Sequence, residues 1–370
     1  MEKTKPNTRT LKKRQAPKSI PQLRKAIDRL DEQIVELLNH RTEHVLKIGA
    51  AKLKKGEEIY APHREIALLD RLCRLNSGPI TNDSVKAIYR EVMSSAISLQ
   101  KSMTIAYLGP SATYTHQAAI KRFGSSLGYA PQKTIGDVFS EVEKNRADYG
   151  VVPIENSTEG VVNHTLDMFV DSELKIVAQI VLPIDHCLVK KQKNGVIKRL
   201  YTHPQALAQC RGWFEQNLPG VETIESSSTT RAAEKASKER GSAAIASSLA
   251  AEQCGLQILE SGIQDNRSNA TRFLVLGRRC SPQTGNDRTS IMFGLADRAG
   301  ALHNSLSPFR SLKLNLTKIE SRPNKKKAWE YFFFVDLEGH AEDEPVKKAL
   351  EKLGKHCLFV KVLGSYPNME

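Results

Sequence analysis

Apolar residues recur every three or four positions through LRKAIDRLDEQIVELLNHRTEHVLKIGAAKLKK, with Ile27, Leu30, Ile34, Leu37 and Leu38 on one stripe and no Pro or Gly before Gly49. The spacing predicts one long helix. Pro62, His63, Arg64 and Glu65 fit the proline-started opening of a second helix, and SVKAIYREVMSSAISLQ follows the turn residues NSGPITND as a third. Residues 20–102 therefore read as an all-α unit.

From 103 to 280 short apolar runs alternate with helical patterns (TIAYLG, HQAAIKRFG, VFSEVEKNRA, YGVVPIEN), which is the rhythm of an α/β sheet. The order echoes itself. Thr134 leads through a helix into YGVVPIENSTEG, and Thr229 leads through a helix into GSAAIASSLAAEQ, so two similar α/β lobes facing a cleft are expected. Residues 152–165, VPIENSTEGVVNHT, end an apolar run in a crowd of carboxylate, amide, hydroxyl and imidazole groups. Ser157 or Thr158 fits a helix N-cap with Glu159 in the first turn, which puts that crowd at a strand-to-helix turn.

After the polar linker RRCSPQTGNDR, residues 287–370 restart the pattern. TSIMFGLA is a strand, AGALHNSLSPFRSL a helix, LNLTKIESRP and AWEYFFFVDLEG a hairpin around a tip at Lys325 to Lys327, EPVKKALEKL a helix and CLFVKVLG a strand. That βαββαβ order matches the α+β ferredoxin-like plan.

Composition narrows the class. A chain of 370 residues with 40% hydrophobic content fits several ordinary domains. It has no apolar run approaching the roughly 20 residues of a membrane span. Its first residues carry no apolar signal region, so a cytoplasmic protein without membrane contact is expected. The six cysteines (Cys73, Cys187, Cys210, Cys254, Cys280, Cys357) form no CxxC pair, which argues against a disulfide framework and against a metal site. Much of the net charge of +14 lies in residues 1–19, a basic, Pro- and polar-rich tail expected to be disordered. No helix-turn-helix, zinc finger or aromatic-studded sheet accompanies the charge, so anionic small molecules are the better partners than nucleic acid.

Arg41 and Lys52 are eleven residues apart on the long helix. At about 100° per residue they return to nearly the same face, about 16 Å apart along the axis, so both can grip one dianion. Arg24 is roughly 42 Å from Lys52 along a continuous helix, so it is either a solvated charge or a contribution to a second copy's site. Arg24, Arg41 and Lys52, the stretch YAPHRE with Arg64 and Glu65, and Gln100 together resemble the all-helical chorismate mutase family, a domain-swapped dimer. The resemblance implies that arginines hold the carboxylates of chorismate, that Lys52 and Gln100 face its ether oxygen and that Glu65 takes its hydroxyl. Ala61 and Ala96 occupy further substrate positions, where aspartate and serine are common in the family. Such a rearrangement needs a held conformation and charge stabilisation, not a nucleophile.

In the second segment YLGPSATYTHQAA, VPIENSTEGVVNHTLD, THPQALAQC, SSSTTRAAE and NATRFLVLG resemble, in order, the motifs of prephenate dehydratase, with Ser111 and Ala112 departing from the usual GPEGT. With the mutase-like segment before it, the chain resembles the bifunctional P-proteins of phenylalanine biosynthesis. These rearrange chorismate to prephenate, then dehydrate and decarboxylate prephenate to phenylpyruvate without a cofactor. The resemblance implies a two-lobed, periplasmic-binding-protein-like fold for 103–280. It makes Thr271 the group engaging the departing hydroxyl, Arg272 a carboxylate holder or brace of the cleft, and Phe273 a shield. Asn156, Ser157, Thr158 and Gln205 would contact substrate, and His164 and His203 would be structural. A threonine is too weak an acid to protonate freely, so Thr271 would donate a hydrogen bond or relay a proton from Glu155 or water. A dianionic substrate nearby would favour the protonated form of Glu155.

The last segment resembles an ACT domain, with Gly300, Ala301 and Leu302 before His303, and Glu320, Ser321, Arg322 and Pro323, matching phenylalanine-binding motifs. This implies feedback inhibition by phenylalanine in a homodimer or homotetramer. Two other readings stay open: a dehydratase preferring arogenate, and a non-enzymatic amino-acid-sensing module.

Overall fold

The computed structural model describes residues 19–323 and 331–368; the basic stretch before Ser19 and the lysine-rich tip at Lys325 to Lys327 lie outside them. The chain divides after Glu57 into two units. The first holds α1 (Ile20–Lys54), entered through a Gln22 side chain that accepts from the Ser19 N–H at 3.0 Å. The predicted stripe is helical but uncovered: Leu30 is 55% and Ile34 53% exposed, beside exposed Ile27 and Leu37.

The second unit begins with α2 (Pro62–Leu75), which has its proline in the first turn, and α3 (Asn82–Gln100), capped by Thr81 Oγ1 accepting from the Ser84 N–H at 3.2 Å. The α/β region follows as β1 (Thr104–Leu108), α4 (Tyr114–Phe123), β2 (Gly128–Gln132), α5 (Ile135–Glu143), β3 (Tyr149–Asn156), β4 (Gly160–Val161), α6 (Asn163–Asp171) and β5 (Lys175–Pro183). A second lobe is built from β6 (Cys187–Lys190), β7 (Arg199–Thr202), α7 (Pro204–Gln209), α8 (Arg211–Asn217), β8 (Glu222–Glu225), α9 (Thr229–Lys238), β9 (Ser242–Ala246), α10 (Ser248–Gln253) and β10 (Gln257–Ser261). The chain then crosses back, and β11 (Ala270–Gly277) inserts between β3 and β5, antiparallel to both.

The sheets run β2-β1-β3-β11-β5 and β8-β7-β9-β6-β10. In each, three parallel strands are followed by a fourth that comes from across the lobe boundary and runs antiparallel to both its neighbours, and by a fifth parallel to the first three. The echo between the Thr134 and Thr229 stretches is thus a repeat of topology: α5 and α9 hold the same place in the two lobes.

The final region, β12 (Asp287–Leu295), α11 (Ala301–Ser311), β13 (Leu316–Pro323), β14 (Tyr331–Glu338), α12 (Glu344–Gly354) and β15 (Phe359–Pro367), forms the expected βαββαβ sheet in the order β13-β14-β12-β15. Strand alternation gives it two apolar faces. Ile291, Phe293, Val335 and Leu337 pack under the helices, with Phe309 and Leu353. Met292, Phe334 and Leu363 join Leu166, Phe169 and Leu274 of the first lobe in one continuous core. The backbones themselves meet there, since a Cβ on Gly364 would sit 2.2 Å from the Ile176 carbonyl oxygen.

One local expectation fails. Ser157 and Thr158 do not cap a helix: residues after Asn156 turn tightly into β4, and α6 starts only at Asn163. The Asn156 side chain takes over, its Oδ1 accepting from the N–H groups of Thr158 and Glu159, both at 3.0 Å. Asn side chains compete with backbone in this way, and the resulting turn has the same polar composition as a cap. No helix among the described residues is long and apolar enough to cross a membrane.

Candidate active site

A cleft of about 310 Å³ opens between the two lobes. The first lobe lines it with Gly109, Thr113, Tyr114, Thr115, Asn156 and Thr271, the second with His203, Gln205, Gln209, Ser227, Ser228 and Thr229. Two helices present their N-termini to it. Thr113 caps α4 by accepting from the His116 N–H at 3.3 Å, and Ser228 caps α9 by accepting from the Arg231 N–H at 3.1 Å. Unpaired N–H groups and the positive dipole end make such termini receptive to carboxylates. The SSL turn before α10, offered by the sequence echo, does not line this cleft: Ser247 instead caps α10 and donates to the Ala112 carbonyl at 3.2 Å.

A chain of hydrogen bonds crosses the cleft floor. Tyr114 Oη lies 2.9 Å from His186 Nδ1, and His186 Nε2 lies 2.9 Å from Gln209 Oε1. Asn269 Nδ2 donates to the same Gln209 oxygen at 3.2 Å, Asn156 Nδ2 donates to Asn269 Oδ1 at 2.9 Å, and Asn156 Nδ2 also donates to Thr271 Oγ1 at 2.8 Å. The donors order the chain. Gln209 Oε1 is an acceptor, so His186 carries a proton on Nε2, while the Tyr114 hydroxyl, beside Nδ1, also has the Asp185 carbonyl as an acceptor at 3.0 Å. Burial lowers the His186 pKa, against the Gln209 hydrogen bond and Asp185, which push it up; burial raises the Tyr114 pKa. Because Asn156 Oδ1 is committed to two backbone N–H groups, its amide nitrogen faces Thr271. The Thr271 hydroxyl oxygen therefore accepts from Asn156.

Glu155 and Arg272 do not face the cleft. Across the β3–β11 pair Thr271 stands opposite Asn156 and Arg272 opposite Glu155, so the two pairs project to opposite sides of the sheet. Arg272 is buried against the β12–β15 sheet, donating to Asp336 Oδ2 at 2.6 Å, Tyr366 Oη at 2.8 Å and Gln179 Oε1 at 2.9 Å. Burial works against its charge, but Tyr366 and Asp336 outweigh it and raise the Arg272 pKa. Glu155 pairs with Lys318 Nζ at 2.7 Å. The expectation that Glu155 supplies a proton is corrected on this ground; of the two readings of Arg272, carboxylate holder is set aside and brace of the cleft agrees with these contacts. Phe273 is buried in the first lobe's core and does not line the cleft. Ser157 and Thr158 brace the returning chain instead of lining the pocket: Ser157 Oγ accepts from the Ala270 N–H at 3.0 Å, and Thr158 Oγ1 donates to Asn269 Oδ1 at 3.4 Å.

Comparison with protein-family models matches chorismate mutase type II at residues 23–101, prephenate dehydratase at 105–281 and the ACT domain at 289–355. A bifunctional chorismate mutase/prephenate dehydratase of Aquifex aeolicus is 50% identical over 353 residues, spanning 94% of this chain and 98% of its own. The chain belongs to the family of bifunctional chorismate mutase/prephenate dehydratases. A relative of the same description from Stutzerimonas stutzeri is 43% identical, with 93% of this chain and 96% of that one covered. The crystal structure of a prephenate dehydratase from Arthrobacter aurescens in complex with L-Phe superposes with a TM-score of 0.66 at 37% identity, covering 72% of this chain and 90% of that one. The chain thus matches both enzyme families ahead of an ACT domain.

The mutase candidates are distributed over both units. Arg24, Arg41 and Lys52 lie along α1. In the second unit Ala61 is the residue before α2, Arg64 and Glu65 stand in its first turn, and Gln100, at the end of α3, donates to the Ala96 carbonyl at 2.9 Å. Glu65 is paired with Arg122 of α4 at 3.3 Å, and burial raises its pKa, with Arg122 and Arg90 pulling it back. In the ACT region Gly300 takes a left-handed conformation (φ 76°) just before α11, which starts with Ala301 and Leu302. Glu320, Ser321, Arg322 and Pro323 end β13, where Arg322 grips Asp167 of α6 at 3.1 Å.

Sequence reasoning assigned no role to Tyr114, Gln209 or the Ser227 to Thr229 run, although each lies in a motif it had singled out. His186 lies outside all those motifs, and its importance comes from its place at the crossing between lobes.

Proposed function

We propose that the cleft binds prephenate through its carboxylates, which lie against the N-termini of α4 and α9, with Gln205 and the Ser227 to Thr229 hydroxyls as side-chain donors. Thr271 donates a hydrogen bond to the ring hydroxyl as it departs. Decarboxylation and aromatisation then give phenylpyruvate. The observation that carries this reading is the 2.8 Å bond from Asn156 to Thr271 Oγ1 inside the cleft, which leaves the hydroxyl proton free to point at substrate. With Glu155 on the other face, the proton that completes water release comes from solvent.

For the first reaction Arg24, Arg41 and Arg64 hold the carboxylates of chorismate, Lys52 and Gln100 face the ether oxygen, and Glu65 takes the hydroxyl, with Ala61 and Ala96 beside the substrate. The exposed apolar stripe of α1 supports a homodimer in which this helix pairs with a second copy and Arg24 serves the partner's site. Phenylalanine is the feedback effector, held by residues 300–302 and 320–323 of the ACT domain; the L-Phe complex of the Arthrobacter relative supports this. The boundaries that go with this reading are 20–102, 103–280 and 287–370, in a cytoplasmic enzyme.

One coupled assay tests the scheme: chorismate in, phenylpyruvate out, with and without phenylalanine, on wild type and Thr271→Ala. Thr271→Ala should consume chorismate and accumulate prephenate. Phenylpyruvate formation at the wild-type rate would remove Thr271 from the chemistry, and faster turnover of arogenate than of prephenate would reassign the substrate.

A further inference from the structure

All four strands of the ACT sheet send a polar side chain to the same point. Ser290 comes from β12, Lys318 from β13, Asp336 from β14 and Tyr366 from β15. Asp336 and Tyr366 bind the Arg272 guanidinium at 2.6 and 2.8 Å, Lys318 binds Glu155 at 2.7 Å, and Ser290 Oγ braces Tyr366 Oη at 2.8 Å. The Arg272 side chain is 12% and that of Asp336 11% exposed, so the ion pair is shielded from water. The cavity beside it measures about 20 Å³, room for about one water, and leaves little slack.

The grip falls one residue from the cleft. Arg272 and Glu155 face each other across β11 and β3, and the next pair in the ladder is Thr271 and Asn156. The register between β11 and β3 shifts between Arg272 and Phe273, where Ile154 of β3 is left without a partner, so the β3 edge of β11 is irregular just beyond the grip. The strand that carries Thr271 is thus pinned laterally by a guanidinium held by Asp336 and Tyr366 of the ACT domain and by Gln179 of the neighbouring β5.

We infer that Arg272 is a positioning residue for the dehydratase reaction, and that through Asp336 and Tyr366 the ACT sheet sets the placement of Thr271 against substrate. This rests on the reading of Thr271 as the group engaging the departing hydroxyl. It also supplies a physical route from the small domain to the chemistry: a shift of its sheet displaces Arg272 and, with it, the adjoining Thr271.

The test uses the full-length protein with Arg272→Lys, Asp336→Asn and Tyr366→Phe, the last keeping the ring and removing only its hydroxyl. Prephenate turnover, chorismate consumption and thermal melting are measured on each, beside Thr271→Val. The expected result is a fall in prephenate kcat on the order of 10- to 100-fold for Arg272→Lys and Asp336→Asn, the scale of a reacting group displaced by about 1 Å. Tyr366→Phe should fall less. KM should stay within about threefold, because groups that bind ground state and transition state alike are untouched. Chorismate consumption should match wild type, showing an intact fold. A raised KM with unchanged kcat would return Arg272 to substrate binding and overturn the inference. So would wild-type kcat in Tyr366→Phe together with wild-type kcat in Arg272→Lys or Asp336→Asn. If Thr271→Val itself keeps wild-type prephenate turnover, the Thr271 reading fails, and that outcome is separate from the Arg272 result.

Discussion

Thr271 and Asn156 face each other on neighbouring antiparallel strands, and the Asn156 amide nitrogen donates to the Thr271 hydroxyl oxygen at 2.8 Å. The bond does two things. It fixes the side-chain rotation of Thr271, and it occupies the oxygen's acceptor side so that the proton is directed outward. Thr271→Val keeps the branched shape and removes the hydroxyl. It is expected to lower prephenate kcat by about 10²- to 10³-fold, the usual cost of losing one preorganised donor. Thr271→Ser should recover most of the rate. Equal losses in Val and Ser would mean that packing, not the hydroxyl, matters.

Asn156 separates orientation from stability. Its Oδ1 satisfies the N–H groups of Thr158 and Glu159, while its Nδ2 serves Thr271 and Asn269. Asn156→Asp keeps the acceptor and loses the donor, so melting should change little while prephenate kcat falls steeply. Asn156→Ala loses both functions and should also destabilise modestly, by about 1 kcal/mol, the net worth of a hydrogen bond at an exposed turn. If Asn156→Asp turned over prephenate normally, Thr271 would not depend on that amide.

These residues also mark how far the sequence could be read. The long helix, the alternating α/β pattern and the βαββαβ order were legible because each is a local period. The repeat of the two lobes was legible in the matching stretches after Thr134 and Thr229. The face of a strand was not. Alternation alone says that Glu155 and Asn156 point opposite ways, but only the packing of the ACT sheet on the first lobe decides which side is cleft and which is buried interface. The same choice of face decides between the two readings of Arg272, against carboxylate holder and for brace, whereas Phe273 is removed from the cleft by burial in the first lobe's core. Ser157 and Thr158 looked like caps because an Asn-centred turn uses the same residues. His186 had no local signature at all: its partners, Tyr114 and Gln209, are 72 and 23 positions away.

Histidine burial gives a pH dependence with a definite sign. Burial lowers the pKa of His186 below 6.5, with Gln209 and Asp185 acting in the other direction, and burial lowers that of His116 as well. Between the lowered value and 6.5 the unfolded chain binds a proton that the folded chain does not, so stability rises with pH across that window. The contribution is complete above the unfolded value and is lost on acidification. Melting temperature should be level above about pH 7 and fall below pH 6.5, and His186→Gln should flatten part of that fall. A slope identical to wild type in this variant would assign the effect elsewhere.

Gly364 tests the seam between ACT domain and first lobe. An alanine there would put a methyl group 2.2 Å from the Ile176 carbonyl oxygen, and backbone, unlike a flexible side-chain tip, has nowhere to go. Gly364→Ala should cost about 1 to 3 kcal/mol through overpacking. Because the same seam carries the Arg272 to Asp336 pair, prephenate turnover should drop with it, while chorismate consumption holds at temperatures where the chain stays folded. Unaltered melting would mean that the two strands part without cost.

The last prediction concerns the mutase. Glu65 sits in the first turn of α2 with Arg122 at 3.3 Å, both largely shielded from water. Burial raises the Glu65 pKa, and Arg122 is the first of two cations that hold it down, the other being Arg90. Arg122→Leu withdraws the stronger of them, so Glu65 should keep its proton to higher pH. A carboxyl with a raised folded value contributes fully below its unfolded value and loses that contribution as pH rises through the folded one. The variant should therefore lose stability on the alkaline side. If chorismate turnover needs the carboxylate form, its acid limb should move upward in pH, while prephenate turnover is unchanged because Arg122 does not line the dehydratase cleft. Rate profiles for both substrates, taken on wild type and Arg122→Leu from about pH 5 to pH 9, read this directly. An unmoved acid limb for chorismate would show that Glu65 does not titrate in the mutase step.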